Sequence, residues 1–151
     1  MHGQILDIIT SPVTVVTARS KDRINGMTVA WIMQAAFSPA HVTVSIAPER
    51  FTHSLIKESG LFGVNLLADD QKALGKRFGF SSGRDSDKFK GVDFHSSRAG
   101  LPVLEGIRAY IECKVIDIVK SGDHDLFTGE VVDKIIDDSK KPLIFKSSDY
   151  F

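Results

Sequence analysis

The sequence predicts a mainly β protein, an antiparallel barrel or sandwich with a few short helices, and three observations lead there. Runs dominated by β-branched residues recur, beginning with V-T-V-V-T-A at Val13–Ala18, and a branched Cβ fits the pleated surface of a strand. Gly, Asn, Asp and Pro punctuate those runs at short intervals, as turns between antiparallel strands do. Regular alternation of strand and helix is absent, so a parallel sheet is not expected.

Each element follows from its own pattern. The polar stretch Arg19–Gly26 ends in Asn25-Gly26, the dipeptide that most readily takes positive φ in a tight hairpin. A turn is predicted there, with a second strand over Met27–Met33. Pro39 marks the next link, and Val42–Ala47 then sets Val42, Val44 and Ile46 against Thr43, Ser45 and Ala47, the period-two pattern of a half-buried strand. After Pro48, Thr52 is placed to cap a short helix carrying Leu55 and Ile56, and Gly60 to close it in the left-handed conformation.

A strand over Leu61–Leu67 comes next. Asp69–Phe78 has acids first, Lys76 and Arg77 last, and Ala73, Leu74 and Phe78 on one face, which predicts a second helix stopped by Gly79. Phe80–Gly100 lacks periodicity and is expected to be a long surface loop. Ile107–Val119 returns to strand with a change of phase that predicts a β-bulge near Val115. Gly122-Asp123-His124-Asp125 reads as a turn, Leu126–Ile136 as the returning strand and Pro142–Phe145 as a last short one.

Composition narrows the classes of function. A chain of 151 residues with 42% apolar side chains fits one domain, spanning 1–151, with a substantial core. Nineteen basic and nineteen acidic residues cancel, leaving no general field to draw nucleic acid or an anionic membrane. No segment is apolar for long enough to cross a bilayer, and the N-terminus has no leader pattern. The lone Cys113 cannot form an intrachain disulfide, which fits a reducing cytoplasm. His41, His53, His95 and Cys113 fall in separate elements without ligand spacing, so no metal is expected.

Four constellations remain as candidates for chemistry. In Asn25–Met33, N-G-M-T-V-A-W-I-M, small side chains alternate with large ones and would let a planar ligand approach the backbone, although a hairpin and core strand would read the same. Trp31, the only tryptophan, stands out because an indole N–H needs a partner. Pro48–Ser54 puts Arg50, Thr52, His53 and Ser54 at a helix start, where free N–H groups and the helix dipole favour an anion; a plain cap with a solvated arginine is the other reading. Phe80–Phe89 supplies hydroxyls, Arg84 and Lys88 that could close over a phosphate or simply be solvated. His124, flanked by two acids, could hold a raised pKa and donate a proton. A turn alone has no use for histidine.

Taken together and in register, these motifs resemble the flavin reductase-like family, which folds as an FMN-binding Greek-key split β-barrel, and most closely its flavoredoxin branch. The resemblance covers nearly the whole chain. It is carried by S-P-V-T-V-V-T, N-G-M-T-V-A-W, F-S-P-A-H-V-T-V-S-I, G-L-F-G-V-N-L-L-A, the D-K-F of the long loop, G-L-P-V-L-E-G, G-D-H-D-L-F-T-G-E-V and P-L-I-F.

The resemblance implies an FMN-dependent oxidoreductase, with FMN preferred to FAD. NAD(P)H would be the donor, and a free flavin, ferric complex or redox protein the acceptor. It also implies a homodimer. It places Asn25, Met27, Thr28, Val29, Ala30, Trp31, Ile32 and Met33 against the flavin ring, together with Ala47. Arg50, Thr52, His53 and Ser54 would hold the phosphate, Lys88 would reach in from the long loop, and His124 would act near the ring. The alternative is an electron carrier reduced by a protein donor. Whether Phe151 contacts flavin is left open.

Overall fold

A computed structural model describes residues 6–150. Nine strands and two helices occur in the order β1 (Thr14–Ser20), β2 (Arg23–Val29), β3 (Ile32–Ala36), β4 (His41–Ile46), α1 (Phe51–Ser59), β5 (Leu61–Leu66), α2 (Lys72–Phe80), β6 (Phe94–Ser96), β7 (Pro102–Leu104), β8 (Ala109–Ser121) and β9 (His124–Ile136). Seven strands form one antiparallel sheet in the order β2-β1-β5-β8-β9-β4-β3, and β6 pairs with β7.

That order explains the closure of the barrel. β2 and β3 are opposite edges of the sheet, yet only Ala30 and Trp31 join them. The three Cα–Cα steps from Val29 to Ile32 span at most about 11 Å, so the sheet must curl until its edges nearly meet. The Trp31 carbonyl accepts from Ser45 N at 3.0 Å beside β4, while β2 has no strand on its outer side. The result is a barrel split along β2. Its interior is a cluster of buried apolar side chains that includes Val16, Val44, Ile46, Phe62, Val64 and Phe127, joined by Leu55 and Ile56 of α1.

Several expectations hold. Gly60 closes α1 at φ 74°, the register slips between Val115 and Asp117, and residues 37–40 turn the chain around Pro39. Others are corrected. The first hairpin turns at Lys21-Asp22, with Lys21 at φ 57°, so Asn25 and Gly26 lie within β2. Gly26 packs closely there, since a Cβ would come within 3.1 Å of Val15 and 3.2 Å of Phe78. The Met27–Met33 strand is cut at Ala30-Trp31, where the chain leaves one sheet edge for the other.

Arg50, extended at φ −74° and ψ 139°, is the N-cap of α1, and Thr52 lies inside the first turn. α2 begins at Lys72 instead of Asp69, because Gln71 folds back to accept from Ala68 N at 2.9 Å. Gly79 does not stop it, and the helix runs to Phe80. The long loop contains β6, which pairs with β7. The β8–β9 hairpin turns at Gly122-Asp123, so His124 and Asp125 open β9. Pro142–Phe145 makes two isolated bridges in place of a strand.

Candidate functional site

A cleft of about 280 Å³ opens along the free edge of β2. It is where four pieces of chain converge. β2 contributes Asn25, Met27 and Thr28, the start of α1 contributes Arg50 and Thr52, the end of α2 contributes Phe78 and Gly79, and the following loop contributes Ser81, Ser82, Arg84 and Lys88. Edge-strand geometry creates the opening, because no further strand covers the outer side of β2.

The polar groups on the floor are tied together. Asn25 and Thr52 are both buried, and Asn25 Nδ2 donates to Thr52 Oγ1 at 2.9 Å. Thr28 Oγ1 donates to the Gly75 carbonyl of α2 at 2.5 Å. A Cβ on Gly83 would overlap the Asn25 side chain, so glycine is what lets the loop lie against that amide. Replacing Thr52 with valine is expected to leave the Asn25 amide unpaired and lower stability by about 1–3 kcal/mol, a loss that urea denaturation would read.

Lys88 is the buried charge of the site, 6% exposed. Its Nζ donates to the carbonyls of Gly26 (2.9 Å) and Phe78 (3.0 Å), fastening the loop to β2 and α2 at once. Burial, and secondarily the Arg50 charge, lowers its pKa from 10.5 to about 8. Arg77 secures the same segment, donating Nε to the Lys88 carbonyl at 2.7 Å. Arg84 donates Nη1 to the Glu49 carbonyl at 2.7 Å and sits 5.2 Å from the Phe51 ring centroid. Three cations and four hydroxyls thus face one carboxylate, Glu49, around the cleft. Such a donor set fits a phosphate monoester.

The sequence-predicted residues divide among several places. Asn25, Met27, Thr28, Arg50, Thr52 and Lys88 line the cleft, and Ser54 lines an adjoining one with its hydroxyl turned back to the Phe51 carbonyl at 2.7 Å. Val29 and Ala47 are buried in the core and Ile32 packs against it, while Ala30 is half-buried at the crossing between sheet edges. Met33 is exposed on β3. His53 turns away: its Nε2 bonds Asp125 Oδ2 at 2.7 Å and its ring meets Phe127 edge-on.

Trp31 is 55% exposed and lies 4.9 Å from the His124 ring, centroid to centroid. His124 Nδ1 is bonded to Asp123 Oδ1 at 2.8 Å, and that bond holds the Asp123 carboxyl below its usual range. With Nδ1 engaged, Nε2 is the nitrogen left to face a ligand. Phe151 lies outside the described residues. Among the described residues no group of three or more metal-ligating side chains is present, and no helix is long and apolar enough to cross a membrane.

Glu49, Phe51, Phe78 and Gly79 were not singled out from the sequence. Phe78 and Gly79 read as helix face and helix stop, and nothing local says that they face a cleft. Ser81, Ser82 and Arg84 carried a signal, a hydroxyl-rich segment with a cation, that a solvated loop shares.

Fold and site together define an antiparallel split-barrel protein with a cleft lined by cations and hydroxyls at a sheet edge. The chain belongs to the flavin reductase like domain family, which matches residues 6–151. It is similar to an NADH:riboflavin 5'-phosphate oxidoreductase of Streptomyces pristinaespiralis, 32% identical over 94% of this chain and 81% of that protein. A solved structure of flavin reductase PheA2 in its native state superposes with a TM-score of 0.85 at 34% identity, covering 97% of this chain and 92% of that one. A high molecular weight rubredoxin of Moorella thermoacetica is 32% identical over 96% of this chain. The chain spans 64% of that rubredoxin and 51% of an Aeropyrum pernix relative.

Proposed function

We propose that this chain is a single-domain FMN-binding oxidoreductase that passes electrons from NAD(P)H through bound FMN to a flavin, a ferric complex or a redox partner. The cleft carries the reading: cations and hydroxyls converge at the free edge of β2, at the start of a nine-residue helix with no acid in its first turn. Membership of the flavin reductase like family supports it, as does the likeness to an NADH:riboflavin 5'-phosphate oxidoreductase and to a flavin reductase. Bound FMN supplies the redox chemistry, accepting hydride and releasing electrons singly or in pairs.

The residues supply placement. Arg50, Thr52 and Arg84 hold the phosphate, with Ser81 and Ser82 as further donors and Lys88 adding charge from the floor. The stretch from Asn25 to Met33 lies against the ring and Trp31 forms its apolar border. His124, its Nδ1–H held by Asp123, offers Nε2 to the reacting edge, as an acceptor while the ring is neutral and as a proton donor once it is protonated. Ile116, Val119, Val132, Ile135 and Ile136 on β8 and β9 are each about half exposed, and so many exposed apolar side chains along one hairpin support a homodimer. Cys113 is buried, with its thiol pushed up to about 12 by that burial, which supports a reaction that uses no thiol chemistry.

The test is an anaerobic titration of the purified protein. FMN is expected to bind, and NADH or NADPH to bleach the bound flavin. Failure to bind FMN would overturn the reading. Tight binding without bleaching, followed by reduction from a protein donor, would instead favour an electron carrier, the reading that likeness to a rubredoxin supports.

A further inference from the structure

His53 stands between two cleft residues and belongs to neither cleft. Thr52 lines the first and Ser54 the adjoining one, but His53 is absent from both walls. Successive residues on a helix project about 100° apart, and the turn of α1 carries this side chain toward β9. There it is 6% exposed. Its Nε2–H donates to Asp125 Oδ2 at 2.7 Å, and its ring meets Phe127 edge-on with centroids 4.9 Å apart. Asp125 and Phe127 share one face of β9, since side chains alternate along a strand. His124 therefore projects from the other face, where its ring lies 4.9 Å from that of Trp31. The pairing of β9 thins out at this point. Asp125 is matched on both sides, to Ile46 of β4 and Lys120 of β8, whereas His124 is matched to Ser121 of β8 alone. A strand end held on one side, next to the Gly122-Asp123 turn, is where a hairpin opens first. The bond from His53 falls one residue behind it.

Stability does not account for this bond. A buried polar or ionic pair adds little over well-packed apolar side chains of similar volume. What it adds is direction, because donor and acceptor must stay close and aligned, while apolar side chains can slide past one another. The first turn of α1 is held by a second such bond on its other side, where Asn25 Nδ2 donates to Thr52 Oγ1 at 2.9 Å. Two consecutive residues thus join β2, at the floor of the cleft, to the strand that carries His124.

We infer that His53 and Asp125 are a positioning pair that holds His124 at a set reach from the start of α1, so that a flavin gripped by its phosphate meets His124 in register; this rests on the flavin reading above. Neither residue of the pair lines the cleft or the one adjoining it, so both act through His124.

The experiment compares His53→Phe, His53→Gln and Asp125→Ser with the native chain, each also in a His124→Ala background. FMN affinity is read by calorimetric titration, and the rate at which NADH or NADPH bleaches bound FMN by stopped flow without oxygen. Phenylalanine keeps a ring against Phe127 and removes the donor, while glutamine returns an Nε2–H at similar reach. His53→Phe and Asp125→Ser should each slow bleaching about tenfold, since a misplacement of about 1 Å can cost a hundredfold. FMN affinity should change less than about threefold, which also shows that the variants fold, and His53→Gln should recover most of the rate. In the His124→Ala background, itself slowed, both losses should shrink to less than about twofold, as for residues that act through one another. Equal losses in the two backgrounds, a native rate in His53→Phe and Asp125→Ser, or a loss of FMN affinity as large as the loss of rate would overturn the inference. Native protein that binds no FMN, or whose FMN neither coenzyme bleaches, would overturn the reductase reading and the pair's role with it, a result seen before any variant is made.

Discussion

Lys88→Met should lower FMN affinity about tenfold or more and abolish its decline at alkaline pH. Even at roughly 8 Å, a unit charge in an effective dielectric near 20 is worth about 2 kcal/mol to a single negative charge, and a phosphate monoester is close to dianionic above neutrality. Lys88 titrates at about 8 in the folded chain against 10.5 normally. The phosphate keeps its charge across pH 7–9, so the decline in affinity over that range follows the lysine. Isothermal titration at several pH values reads it, and a native profile flat from pH 7 to 9 would remove Lys88 from the phosphate's field.

The same shift has the opposite sign for stability. Between pH 8 and 10.5 the unfolded chain holds the proton that folded Lys88 has released, so stability rises with pH across that window. Below it, the cost of burying the charged amine is fully present. FMN-free protein should therefore gain resistance to urea as pH rises from 8 while its FMN affinity falls, and the lysine's share of both trends should vanish in Lys88→Met. Few other single groups would move the two measurements in opposite directions.

Gly63→Ala should cost about 3 kcal/mol of stability, a large fraction of the 5–15 kcal/mol of an ordinary domain. Its added Cβ would sit 2.6 Å from Tyr110 Cε2, 2.7 Å from Tyr110 Oη and 2.8 Å from Thr17 Oγ1. Neither neighbour can yield freely. Tyr110 Oη donates to Glu112 Oε1 at 2.7 Å, Ser97 Oγ donates to the same oxygen at 2.5 Å, and Thr17 Oγ1 donates to the Pro102 carbonyl at 2.8 Å. Moving Tyr110 also strips a donor from Glu112, which is 4% exposed. Gly60→Ala is the control: no atom lies within 4 Å, and only its φ of 74° opposes a side chain, for about 1 kcal/mol. Equal midpoints for the two variants in urea would show that Tyr110 gives way without loss.

The elements readable from the chain were those whose cause is local. Runs of β-branched residues and their alternation point to β1 and β4, the phase slip to the bulge beside Val115, and Leu55, Ile56 and Gly60 to α1 and its end. Errors came where one residue type serves two physical ends. Asn25-Gly26 has the preference of a turn, but Gly26 lies inside β2 with Phe78 and Val15 packed closely against it. Thr52 has the preference of a cap, yet its hydroxyl is spent on Asn25, twenty-seven residues away.

The candidate site follows the same division. Its residue types and their clustering at Pro48–Ser54 and Phe80–Phe89 are properties of the sequence, as are the balanced charge and the antiparallel class, because each depends on composition or on neighbours a few positions apart. The tertiary structure alone decided which of them meet. Lys88 reaches Gly26 across sixty-two positions, His53 is drawn to Asp125 across seventy-two, and Ala30-Trp31 becomes the seam of a barrel only because β2 and β3 end up on opposite edges of one sheet. A cleft is a contact between distant segments, and short-range propensity carries no term for the packing that brings them together.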